Sequence, residues 1–364
     1  MTTLSQPEGS APRVRRPRAT MRDVAALAGV GIKTVSRVVN GEPGVSPALT
    51  QRVRQAAEQL SFQVDITAGN LRRTGRRSLS LGLLLASVDN PFCAVIHRAV
   101  EDVAEEAGVA VFSASTDEHP GRERALVAAF TSRRVDGLII TPTGIDQAYL
   151  LPALDSGTPV VMVDRPSVGV EADSVLVDNV TGAKEATEHL LRGGHRRIAY
   201  LGDLPSIATA RQRHEGYLRA LDTAGVAVDE ALVVDGLHDA DAACGAAIRL
   251  LTGPDAPTAL FTSQNLITIG AIRALRSLGV QYAVALVGFD DFSLAELMDP
   301  AVTVVAQDPV AIGRAAAQRV FARLADPELR IEEIILPTRL IVRGSGEIPP
   351  PSVRELTPRK GLSG

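Results

Sequence analysis

Residues 21–46 read MRDVAALAGVGIKTVSRVVNGEPGVS. From Arg22 to Ala28, and again from Ile32 to Val39, apolar residues recur at helical spacing. Between the two stretches stand Gly29, Val30 and Gly31, two helix breakers around one apolar residue. Two short helices joined by a tight glycine-containing turn make a helix-turn-helix. Ala25 is small where the helices would cross, Val30 can tuck under the turn, and Val35 and Val38 fall on the same inner face. That leaves Ile32, Lys33, Thr34, Ser36 and Arg37 around the outside of the second helix. Arg37 and Lys33 can hydrogen-bond guanine or phosphate, and Ile32 can touch a thymine methyl. A plain helical hairpin with a solvated face has the same pattern, so the neighbouring sequence has to decide.

Charge is distributed unevenly along the 364 residues. Residues 1–77 carry a net +8 and the remainder −12. A basic head on an acidic body suits a nucleic-acid-binding module joined to something else, although a basic tail would also account for part of the excess. Residues 1–19 are rich in Pro, Ser and Arg without periodicity and read as a disordered leader. A third helix begins at VSPALTQRVRQAAEQL, with Ser46 as its N-cap and Pro47 at its first position. The polar, basic stretch 65–77 reads as a hinge after a head spanning 20–64.

From Leu79 the pattern changes. Apolar runs of strand length (LSLGLLLAS, VAVFSAS, VDGLIITPT, TPVVMVDR) alternate with helical stretches, and a second such series follows SVLVDN. Strands alternating with amphipathic helices predict parallel sheets covered on both faces. Two series predict two doubly wound α/β subdomains, about 78–177 with 303–344 and about 178–302, followed by a flexible tail at 345–364. In such sheets ligands bind at the carboxyl ends of the strands, so a cleft between the subdomains is the expected site. Asp290 in GFDD ends a strand, Arg213 in ARQRHEGY lies near a helix start, and Phe92 in DNPF offers an apolar face. Together they supply an acceptor, a forked donor and a flat surface, as a polyol requires. Each has a structural alternative: a helix cap, an ion pair and a core aromatic.

Several function classes find no support. No apolar run of about 18 residues predicts a membrane span, and no apolar h-region follows the basic start, so a cytoplasmic protein is expected. Cys93 and Cys244 form no CxxC and read as reduced thiols. The six histidines show no metal-ligand spacing, and no Walker loop or GxGxxG follows the first strand. We therefore expect no metal, no cofactor and no catalytic residues. A solute-binding protein with a basic tether remains an alternative, as does an enzyme using Asp164 and Asp290, which lacks a nucleophile–base pair.

The segment TMRDVAALAGVGIKTVSRVVNGEPGVS closely resembles the N-terminal helix-turn-helix of LacI-type transcription regulators. The resemblance continues through LSLGLLLASVDNPFCAVIHRAVEDVAEEAGV, PVVMVDRP, HRRIAYLGD, TIGAIRALRSLGV and ALVGFDD, over about residues 20–344. It implies an all-α helix-turn-helix domain followed by a periplasmic-binding-protein-like pair of α/β subdomains. It also implies a homodimer on a near-palindromic operator, a small sugar-like effector in the cleft, and no membrane. By resemblance Ile32 and Lys33 choose bases, Arg37 matches the family arginine, and Thr34, Ser36, Asn40 and Ser46 contact phosphates or hold the helix. Leu71 matches the leucine that wedges into the minor groove. Phe92, Asp164, Arg213, Gln264, Asp290 and Gln307 match effector-contacting positions. The chain departs from the pattern at Gly31, where serine is frequent, at Gln264, where asparagine is usual, and in the hinge, where Gly69 costs a helix about 1 kcal/mol.

Overall fold

The computed structural model describes residues 19–39, 42–62, 77–144 and 146–351. The chain divides between Ser78 and Leu79 into two compact units. The leader up to residue 18, Asn40, the hinge positions up to residue 76 (Leu71 and Gly69 among them) and the tail from residue 352 lie outside the described residues.

The first unit is helical. α1 (Met21–Ala28) starts at Thr20, whose hydroxyl accepts from the Asp23 N–H while the Asp23 carboxylate accepts from the Thr20 N–H. This reciprocal capping box satisfies donors that the first turn leaves open. α1 ends at Gly29, whose φ of +61° is left-handed. The Val30 N–H then bonds back to the Ala25 carbonyl, which closes the turn. α2 (Ile32–Val39) springs from Gly31, whose carbonyl accepts from Thr34 and Val35. α3 (Pro47–Gln59) is capped by Ser46, which accepts from the Leu49 N–H. Val24, Ala25, Ala28, Val35, Val53 and Ala56 form the core, with Val30 and Val38 packed at its edge.

The second unit holds two six-stranded sheets of matching design. The first is built from β1 (Ser80–Leu85), β2 (Ala110–Ser115), β3 (Gly137–Ile140), β4 (Val160–Val163), β5 (Asp173–Val177) and β11 (Glu333–Leu336), in the order β11-β5-β4-β3-β1-β2. The second contains β6 (Ile198–Leu201), β7 (Val233–Val234), β8 (Ala259–Thr262), β9 (Ala285–Phe289), β10 (Thr303–Ala306) and β12 (Arg339–Ile341), in the order β12-β10-β9-β8-β6-β7. All pairings are parallel except β10 with β12. The central strands are buried along their whole length, which is why they read as continuous apolar runs rather than alternating ones.

Helices cover both sheets: α4 (Pro91–Glu106), α5 (Pro120–Ser132), α6 (Leu151–Asp155) and α11 (Pro309–Ala325) on the first, and α7 (Asn179–Arg192), α8 (Ala208–Thr223), α9 (Ala240–Leu251) and α10 (Asn265–Leu278) on the second. The chain passes between subdomains after β5, after β10 and after β11. Residues 303–344 therefore do not all belong to the first subdomain, as the sequence pattern implied. β10 and β12 pair within the second sheet while α11 and β11 pack on the first. Nor is the segment after 344 wholly a tail. Gly344–Glu347 forms a 3-10 turn with Ser345 and Gly346 buried, and the Ile348 carbonyl bonds to the Nε2 of His195.

Candidate functional site

In the head, the capped turn presents α2 with one face in the core and one in solvent. Val35 is fully buried, whereas Ile32, Lys33 and Arg37 are exposed, Ile32 by 45%. Thr34 and Ser36 are half-buried, and the Thr34 N–H is spent on the Gly31 carbonyl. Ser46 acts as a helix cap. An exposed isoleucine beside Lys33 and Arg37 gives this face of α2 both apolar and donor groups, the two kinds of contact that base edges in a major groove accept. Arg52 is turned away from this role: its Nη2 donates to the Ala28 carbonyl at 2.5 Å and satisfies the end of α1.

In the body, the two subdomains face each other with the carboxyl ends of their sheets. Asp164 follows β4 and Asp290 follows β9, at matching places in the two sheets. Both adopt left-handed backbone, with φ of +68° and +70°. Each N–H still bonds to the next strand, Asp164 to Val175 and Asp290 to Val305, both at 2.9 Å. Left-handed backbone costs a non-glycine residue about 1–2 kcal/mol, and such strain gathers where side chains are aimed for function.

Arg213 is 5% exposed. Its Nε donates to Asn179 at 2.8 Å, its Nη1 donates to the Ser263 carbonyl at 2.7 Å, and Asp290 lies 3.5 Å away. The guanidinium sits 3.9 Å over the Phe289 ring, a stacking arrangement that lysine could not reproduce. Gln307, at the second crossing, donates its amide to Asp290 at 2.5 Å. Phe92, Asp290 and Gln307 line a cavity of 290 Å³ between the subdomains. Gln264 sits differently: its side-chain oxygen caps α10 by accepting from the Leu266 N–H, and its amide reaches Asp203 at 3.4 Å. Burial holds the Asp164 carboxyl above the usual carboxylate range, opposed by the guanidiniums of Arg165 and Arg213.

The structure adds groups to this cleft that motif reading passed over. Asn90 caps α4 through its side-chain oxygen, and the same oxygen accepts from the Asn265 amide at 2.8 Å, joining the two subdomains directly. Arg165 is held in a two-pronged pair by Glu118, both bonds at 2.6 Å. His238 pairs with Asp203 at 2.8 Å, which raises the imidazole pKa. Asn90 in DNPF lies two residues before Phe92, and Arg165 directly follows Asp164. Glu118 carries no local signal, because only the left-handed turn at Asp117 and Glu118 brings it back over the strand ends. Among the described residues no group of His, Cys, Asp and Glu could hold a metal ion. No described helix is long and apolar enough to cross a membrane.

Two family models match the chain. Residues 20–65 match "Bacterial regulatory proteins, lacI family", and residues 78–343 match "Periplasmic binding proteins and sugar binding domain of LacI family". The ribose operon repressor of Escherichia coli K12 is 31% identical over 330 residues, covering 90% of this chain and 99% of that protein. The regulator CelR of Thermobifida fusca is 33% identical over 342 residues, covering 91% and 99%. A solved CelR–cellobiose complex aligns over 90% of this chain and all of its own, with 31% identity and a TM-score of 0.67. A lac repressor dimer bound to operator and the anti-inducer ONPF aligns over 91% and 99%, with 25% identity and a TM-score of 0.78. With a helix-turn-helix head, a two-sheet body and both family models matched, the chain belongs to the LacI family of bacterial transcription regulators.

Proposed function

We propose that the protein is a transcriptional repressor that binds a near-palindromic operator as a homodimer, and that a sugar-like effector in the cleft between its subdomains controls that binding. The observation carrying this reading is the occurrence, in one chain, of an exposed Ile32–Lys33–Arg37 face on α2 and a cavity in which an apolar wall of the first subdomain, with Phe92, faces the polar Asp290 and Gln307. Relatives support both halves: one solved neighbour is a dimer on operator, and others hold cellobiose or ribose. A solute-binding protein would need the cleft but has no use for the head. As a regulator acting on chromosomal DNA it works in the cytoplasm.

In the head, Ile32 and Lys33 read base edges and Arg37 reads guanine or phosphate. Thr34, Ser36 and Asn40 hold the backbone contact, Ser46 fixes α3, and Leu71 wedges the minor groove at the hinge. In the cleft, Asp290 and Asp164 accept from ligand hydroxyls, Arg213 donates, Gln307 and Gln264 bridge, and Phe92 covers an apolar sugar face. The subdomains are joined by three chain crossings, so a ligand touching both walls changes their relative angle. A ligand that prefers one angle weakens or strengthens DNA binding by the factor by which DNA alters its own binding.

Selection of duplexes from a random pool tests the DNA half. A two-fold symmetric site with half-sites about one helical turn apart, or a multiple of it, is expected. Salt-sensitive binding without an enriched sequence would overturn the reading.

A further inference from the structure

The cleft's charges are not balanced. Arg165 has both Nη atoms committed to Glu118, donates from Nη1 to the Pro142 carbonyl at 3.0 Å, and turns its Nε toward Asp164 at 3.6 Å. Arg213 is matched by Asp290 and by neutral acceptors on Asn179 and Ser263. A third guanidinium, Arg343, is cancelled by a two-pronged pair with Asp291, and against the first two stand four carboxyl groups: Glu118, Asp164, Asp203 and Asp290. They are close enough to act on one another, for Asp164 feels the charges of Arg165, Arg213, Asp290 and Glu118, and Arg165 that of Asp203. The imidazole of His238 is already engaged by Asp203.

Hydrogen-bonding capacity points the same way. Asp164 Oδ1 and Gln307 Oε1 are both inaccessible and have no partner. These two are acceptors and the equally unpartnered Nε of Arg165 is a donor, so an occupant that completes the site has to bring both donors and an acceptor. A hydroxyl is both at once, whereas a phosphate dianion or a carboxylate supplies no donor and adds negative charge to a site already in excess.

We propose that Glu118 sets the ligand class of this cleft: by neutralising Arg165 it restricts the effector to an uncharged polyhydroxyl compound and keeps phosphate esters and carboxylates out. This rests on the reading of the cleft as an effector site and deepens it. Glu118 is suited to the task because its side chain is only 9% exposed and the pair with Arg165 is two-pronged. A buried pair of this geometry occupies both Nη atoms and neutralises the guanidinium, leaving only the Nε, which faces the Asp164 carboxyl rather than an incoming anion.

The test is calorimetric titration of the full chain with D-ribose, D-glucose and cellobiose, and with D-ribose 5-phosphate and D-glucose 6-phosphate, on the wild type and on Glu118→Gln. At least one neutral sugar is expected to bind the wild type, with its phosphate ester at least 100-fold weaker. Glu118→Gln, which keeps the side-chain shape but releases the charge of Arg165, is expected to tighten ester binding by at least tenfold. Esters binding the wild type as tightly as neutral sugars would overturn the inference while leaving an effector site in place. An unchanged ester affinity in a folded Glu118→Gln protein would overturn the role of Glu118. Should that variant unfold, the wild-type comparison alone decides the ligand class. Binding by none of the five compounds would overturn the sugar-effector reading, and this inference with it.

Discussion

The two glycines in the helix-turn-helix turn look alike in the sequence, yet their substitutions should behave oppositely. Gly29 has φ +61°, and a Cβ there would lie 2.9 Å from the Arg52 Nη2 that bonds the Ala28 carbonyl. Gly29→Ala therefore incurs a left-handed backbone penalty of about 1–2 kcal/mol. Arg52 must also move off its carbonyl, which costs about 1 kcal/mol for a partly exposed charged bond. The sum, about 2–3 kcal/mol, is a large part of what a core as small as this head supplies, roughly 3–5 kcal/mol. Gly31 has no such constraint, since its φ is ordinary and a Cβ would meet nothing within 4 Å. Gly31→Ser should be tolerated or should stabilise α2 by a few tenths of a kcal/mol as a better N-cap. Scanning calorimetry of the full chain, with anisotropy on the selected duplex, reads both effects. Gly29→Ala should lower the head transition and the DNA affinity without moving the body transition. Equal behaviour of the two variants would refute this account of the turn.

Further expectations concern the body. Arg213→Lys gives up the Nε bond to Asn179 and the stacking on Phe289, so effector affinity should fall about 10- to 100-fold in calorimetry, from charged hydrogen bonds of about 1.5–3 kcal/mol. Asn265→Ala removes the cross-cleft bond to Asn90 but leaves the α4 cap, and at about 1 kcal/mol it should shift the open–closed balance about fivefold, seen as a larger radius of gyration in solution scattering. His195 is buried between Thr258 and Ile348, and burial lowers its pKa. Because the folded state disfavours the charged ring, the unfolded chain binds more protons on acidification. The stability this group contributes is present above about pH 6.5 and lost as pH falls below it. His195→Gln should flatten the melting temperature of the body between pH 7 and pH 5, whereas an unchanged slope would assign the acid sensitivity elsewhere.

Much of this architecture was legible in the chain because it rests on short-range rules. The capped, glycine-broken helices of the head and the uninterrupted apolar runs of β1, β4, β8 and β9 announce themselves through spacing alone. The crossings were harder to read. β10 and β12 are ordinary short apolar strands, and only pairing with β9 and with each other assigns them to the second sheet. The cleft divides in the same way. Asp290 and Arg213 sat in recognisable motifs, while Glu118 and Asn265 matter because of partners 47 and 175 residues distant in sequence. Gln264 turns its oxygen to the helix start, a local use that a motif match cannot distinguish from ligand binding.

The central claim is that the head and the cleft are energetically coupled, and reciprocity tests it most directly. One would measure operator affinity with and without the best-binding sugar, and sugar affinity with and without operator, at one salt concentration. The account predicts two equal ratios, each differing from one by about 5- to 150-fold, the usual span of allosteric coupling. Tight operator binding and tight sugar binding with both ratios at one would contradict it, leaving a DNA-binding head and a sugar-binding body that share a chain without communicating.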